Sequence, residues 1–402
     1  MRFPYAVIRL ASALFMTLVT GSVAEEVLYE QKLPARLCVI TVPVKVDDAT
    51  PLMFLDTGSS LHSFDPSLGS HLKRCLGARN LVAYGGRTRV AWYQSPPLVA
   101  GTWTLPDSQA VVLNLAPVAQ RLGVPIRGLL GSSAFHKTVI DLDFERQRLR
   151  FLNNYQPPDS ATPFRPGQEI GGMHYVPLEF NWANNPALTT QIEGVTFQPT
   201  IDTGAQALVT VRHRIFARLV RAGVITPEAT SGLNTTYGAA GFFKKTTGQF
   251  TRGNLLGVDL RGVHVVDGGE LEGIGLAFLL QFHTVLDLPA KRFYFEHRNC
   301  EPALDSNTML GMALSYPKGQ CRVRALLPNG AAVAAGLHEG DTILKLGGRE
   351  GKDLNEPAIY DLCAQCAGQP VPVEIARPGK TDKITTQLKI TTKQFFSFTP
   401  PW

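Results

Sequence analysis

Phe54-Leu55-Asp56-Thr57-Gly58-Ser59-Ser60 has a second copy in the same chain, Thr200-Ile201-Asp202-Thr203-Gly204-Ala205, 146 positions downstream. In each copy apolar residues lead into a carboxylate, a threonine and a glycine. The pattern is that of a strand delivering one aspartate to a tight turn, with glycine permitting backbone geometry that a bulkier residue would not. A carboxylate ending an apolar strand is costly unless it is hydrogen-bonded or paired. Two of them, on two copies of one unit, can pair with each other. The register also persists beyond the motif. Gly128-Leu129-Leu130-Gly131-Ser132-Ser133-Ala134-Phe135 precedes Thr138-Val139-Ile140-Asp141-Leu142. Gly273-Ile274-Gly275-Leu276-Ala277-Phe278-Leu279 precedes Thr284-Val285-Leu286-Asp287-Leu288, with both the threonines and the aspartates again 146 apart. Residues from about 37 to 152 and about 183 to 296 are therefore an internal repeat.

These motifs, an Asp-Thr-Gly after an apolar strand and an apolar-apolar-Gly some 75 residues on, resemble those of pepsin-like and retropepsin-like aspartic proteases. The resemblance covers both repeats. It implies a mainly β, two-lobed aspartic-protease β-barrel fold in which each lobe gives one aspartate to a shared site. Asp56 and Asp202 are then the catalytic pair. The resemblance further implies that Thr57 and Thr203 hydrogen-bond across the lobe interface, and that Gly58 and Gly204 present backbone N–H groups to the carboxylates. Ser59 is expected to hydrogen-bond the outer oxygen of Asp56, a support that Ala205 lacks on the second side. Gly131 and Gly275 become packing glycines beneath the two loops. Tyr84-Gly85, within a strand–turn–strand pattern from Leu81 to Tyr93, is similar to the flap that covers substrate in this family. It is equally an ordinary hairpin turn. Tyr237-Gly238 is its looser counterpart, which leaves a two-flap arrangement open. Asp141 and Asp287 read instead as residues that begin turns between strands.

Outside the repeats, Arg2 and Arg9 precede an uncharged run from Leu10 to Ala24 ending in Ser22-Val23-Ala24, the pattern of a secretory signal cleaved after Ala24. The run is short of the ~20 residues a bilayer span needs, so export to the periplasm or the extracellular space is expected, with no membrane span in the mature chain. Whether residues 25–36 act as a propeptide stays open. With 39 basic and 33 acidic residues the whole chain is at +6, and no basic run is interleaved with aromatics. Nucleic-acid binding has no support in this pattern. No His-Glu-x-x-His, Gly-x-Ser-x-Gly or phosphate loop is present, so no metal or cofactor is expected.

The six cysteines, Cys38, Cys75, Cys300, Cys321, Cys363 and Cys366, are compatible with disulfides in an exported chain, but fifteen connectivities are open. Cys363-x-x-Cys366 lies on the apolar face of a helix with Ile359 and Leu362, which favours core packing or a structural disulfide over redox chemistry.

After Cys300 a third unit begins. Leu310-Gly311-Met312-Ala313-Leu314 is followed by Cys321–Leu327 and then by Ala335-Gly336-Leu337-His338-Glu339-Gly340-Asp341. This order resembles a PDZ domain, a small β-barrel with helices of the kind attached to exported bacterial proteases. The resemblance makes residues 310–314 its candidate peptide-binding loop, and Gly336 a helix-terminating residue. The boundaries read as a signal at 1–24, lobes at 25–152 and 173–299, a Pro- and Gly-rich linker at 153–172, a PDZ domain at 303–395 and a tail at 396–402.

The expected function is an aspartic endopeptidase acting on polypeptides, with the PDZ domain binding peptide or C-terminal segments of substrate or partner. The alternative is a non-catalytic two-lobed peptide-binding protein acting through the same cleft and PDZ domain.

Overall fold

The computed structural model describes residues 25–34, 39–83, 86–165, 168, 171–228, 235–238, 241–244, 246–298 and 306–391. The expected signal at residues 1–24, Cys38, Cys300 and the Tyr84-Gly85 pair lie outside them. The molecule is mainly β. Among the described residues no helix is long and apolar enough to cross a membrane.

Each repeat folds into a sheet with one strand order. In the first half the Leu52–Asp56 strand lies beside and parallel to Ile126–Gly131, with Asp56 opposite Gly131. Next come His62–Phe64, Gln109–Val112 and the hairpin of Gly86–Gln94 with Cys75–Ala83. The second half repeats this: Thr200–Asp202 runs parallel to Gly273–Gly275, with Asp202 opposite Gly275. Val209–Val211, His264–Asp267, Thr247–Phe250 and Ile225–Pro227 complete the order. Alternation along Leu52–Asp56 turns Met53 and Leu55 into the core.

The halves are joined by a third sheet to which both contribute. At its centre Val139–Asp143 pairs antiparallel with Phe282–Asp287. Ile140 faces Leu286, its own equivalent in the repeat, and Asp141 faces Val285 as Val139 faces Asp287. A local two-fold axis therefore passes between Ile140 and Leu286, which is what a duplicated strand pairing with its copy must produce. Val139–Asp143 is buried throughout, because both faces of this sheet are covered. Apolar side chains of the two halves form one continuous core. The outer strands Val27–Lys32 and Met173–Pro177, also 146 positions apart at their starts, flank this sheet. The repeat thus begins earlier than the motifs alone mark.

Several local expectations need correction. Asp287 does begin a turn, accepting from Ala290 N–H at 2.9 Å. Asp141 instead sits mid-strand and buried, bonded to Arg150 at 2.6 Å and, across the shared sheet, to His283 at 2.7 Å. The corresponding turn belongs to Asp143, which accepts from Arg146 N–H. Within the expected linker, Thr162–Pro163 adds parallel to His174–Tyr175 and extends the shared sheet.

Residues 306–391 have their own core and sheet. Met312–Ser315, Arg322–Leu326, Thr342–Leu346, Pro370–Ala376 and Lys383–Lys389 follow in spatial order, with helices Ala331–Ala334 and Glu356–Cys366. Gly336, at φ +76°, ends the first helix. Asn355 caps the second by accepting from Ala358 N–H at 3.0 Å. Ile359, Leu362 and Cys363 face the core. Among the described residues Cys75, Cys321, Cys363 and Cys366 form no disulfide with one another. Burial pushes the Cys321 thiol up to about 12, which keeps it an unreactive core side chain.

Candidate active site

The duplicated strands bring Asp56 and Asp202 together at the junction of the halves, and their carboxyl groups are hydrogen-bonded to each other. The backbone leaves room for this because of two glycines. A β-carbon on Gly58 would overlap the Asp202 carboxyl, and one on Gly204 would overlap that of Asp56. Each loop therefore seats the opposite loop's carboxylate on its own glycine.

The threonines set the register. Thr57 Oγ1 donates to Ile201 O at 2.5 Å, and Thr203 Oγ1 donates to Leu55 O at 2.8 Å. Each hydroxyl also accepts the other threonine's N–H, both at 3.1 Å. Both side chains are buried, so every one of these groups would pay a desolvation cost if it lost its partner.

Backbone amides serve both carboxyls. Gly58 N–H donates to Asp56 Oδ1 at 3.0 Å, while Gly204 and Ala205 N–H donate to Asp202 Oδ1 at 2.9 and 3.0 Å. Burial, followed by the Asp202 charge and the hydrogen bond to it, holds the Asp56 carboxyl well above the usual carboxylate range. The Gly58 and Ser59 amides oppose this but do not cancel it. Like charges so close do not both ionise cheaply, so the pair shares one proton.

Ser59 departs from expectation. Its hydroxyl donates to Leu61 O at 3.0 Å, a local acceptor two residues on, instead of to the outer oxygen of Asp56. Ala205 therefore removes no contact to the carboxylate that the first side possesses.

Beneath the loops, Gly131 and Gly275 are needed for close approach. A β-carbon on Gly131 would meet the Leu61 backbone, and one on Gly275 the Ala205 and Ala207 carbonyls. Two further residues support the first loop without having been singled out by sequence. Asn185, buried in the second half, donates from Nδ2 to Gly58 O at 2.6 Å and accepts from Ser132 Oγ at 2.9 Å. Asn184-Asn185-Pro186 reads in sequence only as a turn. His62 is buried under the same loop and accepts Gly131 N–H on Nδ1 at 3.1 Å. Burial pushes its imidazole down to about 4.

The first-half hairpin pairs Ala83 with Gly86, and the flap candidates Tyr84 and Gly85 lie outside the described residues. From the second strand of that hairpin, exposed Arg87 reaches Glu270 of the second half at 3.1 Å. The second half has a hairpin of its own, Thr235–Gly238 with Gly241–Lys244, which forms a separate two-stranded sheet between Ile225–Pro227 and Thr247–Phe250 in the chain. Tyr237-Gly238, the expected counterpart of the flap motif, ends its first strand.

The candidate loop of the C-terminal unit is divided by the structure. Leu310 ends a short helix, Gly311 takes φ +67°, and Met312, Ala313 and Leu314 lie on an outer strand. Leu310, Met312 and Ala313 are buried, and Leu314 is half-buried. This loop is remote in sequence from the aspartates.

Residues 42–134 match a family model described as aspartyl protease. The match contains Asp56-Thr57-Gly58 and Gly131, and it supports an aspartyl protease region in the first half. Asp202 and its loop lie beyond it. No curated protein matches the chain.

Proposed function

We propose that the chain is an aspartic-type endopeptidase whose Asp56/Asp202 pair activates a water for attack on a peptide bond. The observation that carries this reading is the hydrogen-bonded carboxyl pair, each member seated on the opposite loop's glycine. Asp56, with the raised affinity for a proton, is the member that holds it and donates to the peptide carbonyl. Asp202 takes the proton of the attacking water. The tetrahedral intermediate then collapses with proton transfer to the leaving amine, and no covalent enzyme intermediate is needed. In this reading the two hairpins cover an extended polypeptide.

In the same reading residues 1–24 direct export to the periplasm or the extracellular space. The C-terminal unit is a PDZ domain that binds peptide or C-terminal segments by strand addition. The non-catalytic alternative draws on Ala205 and on the looseness of the flap match. Because backbone amides serve both carboxyls, that residue lends it no weight.

The test is hydrolysis of an unbiased peptide mixture between pH 3 and 8 by the wild type and by Asp56→Asn. Cleavage should fall by about 10²–10⁴-fold in the variant, the usual range for removing an acid–base group. Equal cleavage by both proteins, or none by a folded and monodisperse wild type at any pH, would sink the proposal.

A further inference from the structure

Among the described residues, the C-terminal unit meets the machinery of the aspartates at a first-half helix. The first-half helix Ala116–Leu122 ends at Gly123, whose φ is +66° and on which the Asn355 side chain packs so closely that a β-carbon would overlap it. Arg121, on the same helix, donates from Nε to Glu356 Oε1 at 2.5 Å and from Nη2 to Gln206 Oε1 at 2.8 Å. Gln206 completes the triangle by donating to Glu356 Oε2 at 2.7 Å. Gln206 stands four residues after Asp202, and Ala205 between them already gives its N–H to the Asp202 carboxylate. The start of the Glu356–Cys366 helix is thus one side chain away from the Asp202 loop.

A second part of the C-terminal unit converges on the same place. Met312–Ser315 is the outer strand of its sheet and, among the described residues, pairs on one side only, with Arg322–Leu326. Beyond Ser315 the chain passes through Tyr316, which lies within electrostatic reach of Glu356 and Arg121, into the turn Pro317–Gly319. The Gln120 amide of the first-half helix lies against Gly319. So the Ser315 end of the outer strand points at the junction, and the Met312 end points away from it.

This gives direction to any segment that joins the strand. Antiparallel addition is the more stable pairing. An antiparallel guest runs from the Ser315 end to the Met312 end, so the residues preceding it in sequence leave at Arg121, Gln206 and Glu356. We propose that the outer strand Met312–Ser315 docks the part of an unfolded polypeptide substrate that lies on the C-terminal side of the bond to be cut, so that the upstream residues pass the junction into the Asp56/Asp202 cleft. The occupant is an extended segment of the substrate itself. The continuity of the strand end with the Asp202 loop argues for it over an unrelated partner.

The inference rests on the peptidase reading above, and its test separates the two. Full-length protein is given one cleavable core peptide and two libraries built on it. In one, ten randomised residues follow the core; in the other, they precede it. The expected result is that extensions on the C-terminal side spread KM by tenfold or more at similar kcat, while extensions on the N-terminal side leave it within about twofold of the core. The best C-terminal extension, added alone, should compete against the extended substrate and leave hydrolysis of the bare core unchanged. Equal spreads in the two libraries, or a larger one on the N-terminal side, would overturn the docking direction alone. Equal inhibition of core and extended substrate would overturn it too, because the extension would then be binding in the cleft. Failure to cut the core at all would remove the peptidase reading, and this inference with it.

Discussion

Gly131 and Gly275 occupy equivalent places beneath the two aspartates, yet the first gives its amide to the His62 imidazole and the second to the Leu208 carbonyl, each at 3.1 Å. His62 and Leu208 are themselves 146 positions apart. In the first half a second side chain serves the loop as well, since Gly58 O accepts from the buried side chain of Asn185. The duplicated backbone therefore needs the same hydrogen bonds in both halves. The first half recruits titratable or amide side chains for them, and at Gly275 the second half uses main chain. Sensitivity to acid should consequently enter through the first half.

The sharpest way to break the comparison is to treat the halves alike where they are alike. Gly58→Ala and Gly204→Ala each drive a methyl into the opposite carboxyl. Both should reduce peptide hydrolysis by about 10²-fold or more, as misplacing reacting groups by an ångström does. A large loss in one variant and near wild-type kcat/KM in the other would mean that the pair does not act as a symmetric unit.

His62 tests where the halves differ. Unfolded imidazole takes up its proton near 6.5, while the folded one does so only near about 4. Between those values the unfolded state binds more protons, so stability should fall as pH drops from 6.5 to 4, by about 3 kcal/mol in all. His62→Leu copies the second half's residue. Denaturant titrations should show lower stability at pH 7, where Gly131 N–H has lost its acceptor, and a flatter limb between pH 6.5 and 4. An unchanged acid limb would locate the sensitivity elsewhere.

The smallest effect is expected at Ser59→Ala. The Ser59 hydroxyl serves Leu61 O and not Asp56, so the variant should keep kcat/KM within about twofold and the same pH profile, with stability down by about 1 kcal/mol for one hydrogen bond. A displaced acid limb of the rate profile would show that the hydroxyl reaches Asp56 after all.

Much of this architecture was legible in one dimension. The 146-residue register implied two copies, and pairing a strand with its own copy forces the two-fold at Ile140 and Leu286. The glycines after each aspartate were readable because only a residue without a side chain tolerates a carboxyl so near. The misreadings share a cause. Ser59 had a closer acceptor two residues away, and Asp141 had Arg150 and His283, neither of which a motif reports.

The sequence by itself determined the duplication, the two aspartates and the change of composition that opens the third unit, because these are written in local spacing and repeat. Tertiary structure alone decided which side chains support the loops and how the third unit faces them. Asn185 is 127 positions from Gly58, His62 is 69 from Gly131, and Glu356 is 150 from Gln206. Hydrogen bonds over such separations depend on where the shared sheet and the junction helix bring the chain, and no periodicity in the sequence encodes that placement.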